Sequence, residues 1–495
     1  MKKVAFHNLG CKVNSYEMEV MRQIVQNNGY EIVQFTQKAD VYIVNTCTVT
    51  NIADRKSRQM LHRAKQLNPV AVVVAVGCYA QTGADMLKDD DAVDIIVGNN
   101  HKTEIADILD KYFKDHPEIK DIDNGDFSIL NEDKMCVMSD LTGPSDYENA
   151  IITEGESRTR ADVKIQDGCN QFCSYCAIPL ARGRVRSRRP EDVIEEIKTL
   201  ALNGHKEIVL TGIHICSYGI DFDDEAWKKG EVKPSTHEIF DRDGDDDSSN
   251  KMMKDYRGKT KLFELVEMID SRIPKDMITR IRLGSLEPRV ITPENVAILV
   301  KTERVCPHFH LSLQSGCDET LKRMNRHYTT SEFNAGAELL RNEYKKAGKS
   351  VAITTDVIVG FPGETEEEFG KTKEFLEDIK LYEMHIFKYS RRKGTVADRL
   401  PGQIPEQVKG VRSDALLEMT ERHSWEYREQ YLGKKQSVLF EEKKDGFWYG
   451  HTNDYVKIGV RENEENKNVL KTGALIDVIV QKRGDKDELI GEIFK

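Results

Sequence analysis

The stretch "CNQFCSYC" puts Cys169, Cys173 and Cys176 within eight residues, with three residues and then two between them. Three thiolates this close suit a thiophilic metal centre, yet they leave a four-ligand site one protein ligand short. Zinc stays open at this level, because His214, Cys216, Cys306 and Cys317 could complete such a site. A second set is dispersed: Cys11, Cys47 and Cys78, spaced 36 and 31 residues apart. Each follows a strand-like run, "KVAFHNLG" (3–10), "DVYIVNT" (40–46) or "VAVVVAVG" (70–77). Ligands of open α/β sheets bind beyond the carboxyl ends of the strands. The three dispersed thiols are therefore expected to converge as a second metal site.

These thiols need a frame. Strands alternate with helical runs such as "NSYEMEVMRQIVQNNG", where Met18, Met21 and Val25 mark one face and Asn14 with Glu17 suggests a capping box. That alternation predicts a doubly wound parallel α/β domain over residues 1–115. Residues 116–154 are polar, without sustained periodicity, and predict a linker. Between 155 and 427, strand candidates at 207–212, 279–285, 308–315, 352–363 and 383–390 alternate with helices. One helix, at 189–204, is bracketed by Pro190 and Gly204. A full or partial βα barrel with chemistry at its strand C-termini is predicted. Residues 221–259 interrupt it with twelve acidic and eight basic side chains, the composition of an inserted solvent loop. From 428 to 495, period-two alternation around turns predicts a small all-β barrel.

A length of 495 residues suggests about three domains. Net charge is −11, so attraction to nucleic acid must come from local patches and not from the whole surface. The ten cysteines cluster instead of recurring as a disulfide framework. The longest aliphatic run, residues 70–76, falls far short of the roughly 20 needed to span a bilayer. The opening residues also lack an apolar signal core. A cytoplasmic protein without membrane attachment is expected.

The CxxxCxxC spacing, with Tyr175 before the third cysteine, resembles the signature of radical S-adenosylmethionine (SAM) enzymes. The resemblance implies that Cys169, Cys173 and Cys176 hold a 4Fe–4S cluster whose fourth iron is chelated by SAM, which accounts for the missing ligand. It extends over nearly the whole chain: "HNLGCKVNSYE" (7–17), "VNTCTVT" (44–50), "VGCYAQ" (76–81), "DGCNQFCSYCAIPLARGRVRSR" (167–188), "LTGIHICSYG" (210–219), "LSLQSGCDETLKRMNRHYT" (311–329) and "TTDVIVGFPGETEEEF" (354–369) are similar to the methylthiotransferases. That family implies a second 4Fe–4S cluster on Cys11, Cys47 and Cys78, a radical SAM barrel and a C-terminal TRAM barrel. "LGCKVN" and "NTCTVTN" are most similar to the MtaB group, which converts N6-threonylcarbamoyladenosine at tRNA position 37 to its 2-methylthio form. The implied partners are the tRNA anticodon stem-loop and an electron donor such as flavodoxin or ferredoxin; the sulfur source stays open. Another modified adenosine, a ribosomal protein, or a non-catalytic RNA-binding iron–sulfur role are the alternatives. Ile215-Cys216-Ser217 departs from the glycines common in the family and reads as tolerated variation.

For SAM, the candidates are Tyr175, Gly212, Glu287, Gln314 and Gly360, all but Tyr175 at or just after predicted strand ends. For RNA, Arg182, Arg184, Arg186, Arg188 and Arg189 follow the cysteine loop, where phosphate contacts would add affinity. The helical run 54–66 is a second basic patch. Trp448, Tyr455 and Lys457, near Phe447, Tyr449 and Arg461, offer stacking surfaces, at least half of these aromatics being expected to face inward. "GFPGETEEEF" lacks the Lys-Ser/Thr ending of a phosphate loop, and Thr365 with Glu368 reads as a helix cap.

Overall fold

The computed structural model describes residues 1–117, 134–143, 145–153, 159–233 and 260–494. Most of the region expected to form the acidic insertion, residues 234–259, lies outside the described residues, as does much of the expected linker.

The N-terminal sheet comprises β1 (Lys3–Asn8), β2 (Glu31–Val33), β3 (Val41–Thr46), β4 (Val72–Gly77), β5 (Ile95–Val97) and β6 (Met135–Val137), all parallel, in the order β2-β1-β3-β4-β5-β6. β3 and β4 are buried at every position, the pattern of a parallel sheet covered on both faces. β6 comes from the stretch read as linker; a three-residue strand, "MCV", shows no periodicity in sequence. The first helix starts at Lys12 with Cys11 as its N-cap residue, not at the expected Asn14–Glu17 box. Asn14 instead donates to the carbonyls of Leu9 and Thr46, tying the ends of β1 and β3 together.

The central domain contains β7 (Arg160–Asp167), β8 (Arg186–Ser187), β9 (Glu207–Gly212), β10 (Arg280–Leu283), β11 (His308–His310), β12 (Ala352–Val359) and β13 (Glu383–Lys388). β7, β9 and β10 are parallel neighbours, as are β11, β12 and β13. Bridges from Ile281 to Val305 and from Leu286 to Leu311 join the two sheets into a partial βα barrel. β8 is a short antiparallel addition beside β7. Periodicity missed β7 because only half of it is apolar. Ala161, Val163 and Ile165 pack outward into the helical shell, while Lys164 and Gln166 are buried on the other face. The capping box at Thr365 and Glu368 is present.

Residues 221–233, expected to be solvent loop, are ordered against the barrel. Phe222 stacks on Trp227 at 5.7 Å, and Asp221 accepts from the Ser187 amide. Two aromatics supply apolar area that a count of charges overlooks.

Strands β14 (Lys435–Lys444), β15 (Phe447–His451), β16 (Lys457–Arg461), β17 (Leu475–Arg483) and β18 (Leu489–Ile493) close into a barrel in the order β14-β15-β16-β18-β17. It sits under the N-terminal strand ends of the central domain. Arg280 donates to the carbonyls of His451 and Ser437, Arg282 to that of Asn453, and Arg160 pairs with Glu441 at 3.0 Å. Among the described residues no helix is long and apolar enough to cross a membrane.

Among the described glycines, the one in the turn leaving β7 has the closest backbone approach. Gly168 has φ +69°, and a Cβ there would lie 1.8 Å from the carbonyl oxygen of Arg184. Gly168→Ala is expected to destabilise the central domain by at least about 2 kcal/mol, combining backbone strain with a clash that backbone cannot relieve. Anaerobic chemical denaturation measures this; a stability equal to the parent would contradict it.

Candidate active site

β7 delivers the chain directly into the CxxxCxxC loop. The Cys169 amide donates to Gly183, that of Cys176 to Cys173, and Ser174 is anchored through its amide and hydroxyl to Met324 and Arg323. Three thiols are thereby brought together. Burial and then the neighbouring Cys173 push Cys176 up to about 12, and burial with Cys173 and Cys176 raises Cys169 well above the usual thiol range. Such repulsion is relieved when a cationic centre takes the thiolates, so these residues fit a thiolate-bound cluster. Arg326 donates to Cys173 Sγ at 3.2 Å and pairs with Glu287 at 3.2 Å. Burial alone would raise the Glu287 carboxyl, but His214, Arg326 and Arg289 outweigh it and hold it down to about 2. Arg326 lies within the 311–329 stretch that is similar to the methylthiotransferases, but its contacts with Cys173 and Glu287 appear only in the fold. Cys216 is buried and accepts from the Glu287 amide at 3.1 Å, a packed thiol whose ionisation is opposed by burial and then by the Glu287 charge.

The dispersed thiols also converge. Cys47 and Cys78 follow β3 and β4 directly, and Cys11 lies three residues beyond β1. Burial pushes Cys47 up to about 11, with Cys78 and Cys11 near enough to add to it. Beside them runs a buried ion network that joins the two domains. Arg182 donates to Cys78 Sγ at 3.2 Å, to Glu17 at 2.7 Å, to Asp167 at 3.0 Å and to Asn14 at 2.7 Å. Lys164 bridges Glu17 and Asp167, Lys102 pairs with Glu17, and Arg186 lies 3.5 Å from Asp167. Burial would raise both carboxyls; Arg182 and the lysines overcome it and keep them well below the usual range. Four cations thus face two carboxylates, and the surplus positive charge borders Cys78. That setting suits an anionic thiolate centre.

This corrects the arginine run. Arg182, Arg186 and Arg188 are buried and cannot meet RNA. Arg188 is locked onto Glu196 and Tyr16. Charge in sequence shows cations but not their partners: Glu17 lies 165 positions from Arg182, and Glu196, only eight positions from Arg188, reads as one more charge on a helix face. Arg184 is half-buried over the Phe172 ring at 4.5 Å, and Arg189 is exposed.

Of the other SAM candidates, Gly212 abuts Gln166: a Cβ there would lie 2.9 Å from its carbonyl oxygen. Gln314 holds φ +70° between the β12 backbone groups of Asp356 and Ile358, a left-handed geometry costly for a side-chain-bearing residue. Gly360 faces the Lys409 side chain, in a turn where its amide donates to Glu364. Tyr175 packs edge-on against Phe361. At the far end of the barrel, half-buried Tyr455 stacks on His308 at 5.0 Å and His451 at 4.5 Å, with Arg160 and Arg282 over its ring. It borders a cavity of about 290 Å³ lined also by Lys12 and Asp162. Trp448 leans toward the small barrel's core and donates to Glu462. The exterior strip of that barrel is instead Phe447 and Tyr449, stacked at 6.0 Å, with Arg461 and Lys457 over their rings.

A thiolate triad at the mouth of a partial βα barrel defines a radical SAM enzyme, and residues 163–376 match the Radical SAM superfamily. Residues 3–98 match uncharacterized protein family UPF0004. The chain is 38% identical over 489 residues to the threonylcarbamoyladenosine tRNA methylthiotransferase MtaB of Bacillus subtilis (98% of this chain, 95% of that one). It is 36% identical to MtaB of Aquifex aeolicus (89% and 94%). The chain belongs to the MtaB-type methylthiotransferase family. The radical SAM methyltransferase TsrM of Kitasatospora setae shares the fold, with a TM-score of 0.51 at 13% identity over 78% of this chain and 73% of that one.

Removing Arg182 leaves Glu17 and Asp167 short of a partner. Arg182→Leu is expected to cost about 3–5 kcal/mol, whereas Arg189→Ala stays within about 0.5 kcal/mol. Denaturation midpoints of the two variants decide; similar midpoints would show the network to be inessential.

Proposed function

We propose that this chain methylthiolates N6-threonylcarbamoyladenosine at tRNA position 37, beside the anticodon, in the cytoplasm. One observation carries the proposal: two separate three-cysteine sets stand on either side of a single buried joint, Cys78–Arg182–Asp167, that leads into Gly168 and Cys169. Cys169, Cys173 and Cys176 hold one 4Fe–4S cluster with SAM; Cys11, Cys47 and Cys78 hold the second. When bound, the clusters and SAM supply one-electron reduction, radical formation and the sulfur and methyl group.

The chain's own residues do the positioning. Arg326 neutralises charge at Cys173 and is itself oriented by Glu287. Tyr175, Gly212, Glu287, Gln314 and Gly360 are the residues proposed to contact SAM. Val49 and Phe172, in the loops that follow Cys47 and Cys169, and Leu180, on the short helix after Cys176, are exposed large apolar side chains, a rim on which an extruded base can stack. Exposed Arg55, Lys56 and Arg63 on the helix Asn51–Leu67, with Lys457 and Arg461 on the small barrel, supply phosphate contacts. A flavodoxin or ferredoxin is the proposed electron donor.

Ala replacement of Cys169, Cys173 and Cys176 should abolish both SAM cleavage and methylthiolation. The same replacement at Cys11, Cys47 and Cys78 should spare SAM cleavage under strong reductant while eliminating methylthiolation. Each triple variant should keep about half the parent's iron, as two independent sites on separate folding units require. Iron content, 5′-deoxyadenosine and tRNA nucleoside mass spectrometry are the readouts. A second variant with full iron, or with methylthiolated tRNA, would overturn the two-cluster assignment; unchanged nucleosides on deleting the gene would overturn the substrate.

A further inference from the structure

The inner wall of the central barrel carries a group of side chains that cluster binding does not use. β11 pairs His308 and His310 with Ala352 and Thr354, and β12 pairs Asp356 with His385 of β13. Side chains two apart on a strand share a face, and Phe309, Ile353, Val357 and Met384 pack outward into the core. His310, Thr354, Asp356 and His385 therefore all face the bore. One donor atom from each of His310, Asp356 and His385 lies within 4.8 Å of the other two. His310 Nε2 and Asp356 Oδ2 stand 3.3 Å apart, about the separation of two ligands each about 2.0 Å from a tetrahedral zinc.

The supporting contacts fit a ligand set. His310 Nδ1 meets Thr354 Oγ1 at 3.1 Å, which fixes the ring and turns Nε2 toward Asp356; a metal-ligating histidine is oriented this way by its second nitrogen. The His310 and His385 rings lie nearly parallel with centroids 5.7 Å apart. His385 is exposed on the edge strand β13, and the Asp356 side chain is 32% exposed, so solvent or another ligand can reach the remaining coordination positions. Two imidazoles and one carboxylate with open positions suit a borderline divalent cation.

We propose that His310, Asp356 and His385 bind one zinc-class divalent cation whose open positions face the barrel bore. There the cation takes a carboxylate or hydroxyl oxygen from the amino-acid arm of the substrate nucleoside. This second half rests on the substrate proposed above. The site is chemically separate from both cysteine sets, since none of its ligands is a thiol.

The test uses the full chain with both clusters reconstituted anaerobically, dialysed against micromolar zinc chloride, with zinc and iron measured by mass spectrometry. The parent is expected to carry one zinc per chain, and His385→Ala and Asp356→Asn each to lose it with iron unchanged and with the melting temperature of the zinc-free parent. His385 is exposed, so its variant does not threaten the fold. A parent without zinc, or variants that keep it, overturns the site. Binding of two anticodon stem-loop RNAs, one with N6-threonylcarbamoyladenosine and one with plain adenosine, tests the second half. His385→Ala is expected to reduce the preference for the modified RNA at least tenfold; an unchanged preference overturns that role. Failure of the substrate assignment itself would appear separately, as a parent enzyme that methylthiolates neither RNA.

Discussion

Glu17 and Asp167, buried with Arg182, Lys164, Lys102 and Arg186, form the interaction on which the remaining geometry depends. Burying six charges is costly unless each finds partners, and the partners come from both domains. Glu17 and Lys102 belong to the N-terminal domain, the other four to the central one. The domains cannot separate without exposing or orphaning these groups. Asp167 immediately precedes Gly168 and Cys169, while Arg182 ends the helix Ile178–Arg182 that follows Cys176 and reaches Cys78. The joint therefore sets the position of one cysteine set against the other. Fixed spacing is what a group transfer between two centres needs.

A second constraint follows from the barrel being partial. Closed βα barrels fill their interior with branched aliphatic side chains. Here the outward faces supply the apolar core, and the inward faces carry Lys164, Gln166, Glu207, Arg282, His308 and His310. A polar bore is stable because its members are paired, as Glu207 is with Arg282 at 2.9 Å. It is also closed below: the small barrel places Tyr455 between His308 and His451 and accepts hydrogen bonds from Arg280 and Arg282 through its backbone carbonyls. The TRAM-like barrel is thus part of the bore's wall.

How much of this was legible in sequence depends on whether a residue's role is local. β3 and β4 were legible because strands buried on both faces read as unbroken apolar runs. The cysteine sets were legible because thiols at strand ends carry their chemistry in their type and spacing. β7 was not, since its inward half is polar for reasons that lie across the barrel. Glu17 looked like a helix cap, and its true partners, Arg182 and Lys164, are more than 140 positions away. Arg182 is hidden by the same non-locality, whereas Arg186 and Arg188 have their carboxylates, Asp167 and Glu196, nearby in the chain, and only the fold shows that these pairs are buried. A run of arginines reveals its charge in sequence, while the carboxylates that bury it are found only by folding. Arg326 escaped notice for the same reason.

With those arginines withdrawn to the interior, the basic groups that remain at the surface are interspersed with a larger number of acidic ones, on a chain of net charge −11. Recognition then cannot rest on a broad electrostatic field. It has to combine a small number of phosphate contacts with stacking, and exposed aromatic and aliphatic side chains are found where the cysteine loops open to solvent. Phe172, between Cys169 and Cys173 with φ +49°, is 46% exposed and carries Arg184 over its ring. The left-handed turn is held by Asn325, which donates to the Phe172 carbonyl, and it leaves the ring half open to solvent with a cation already stacked on it, a surface to which a base can add at low ordering cost.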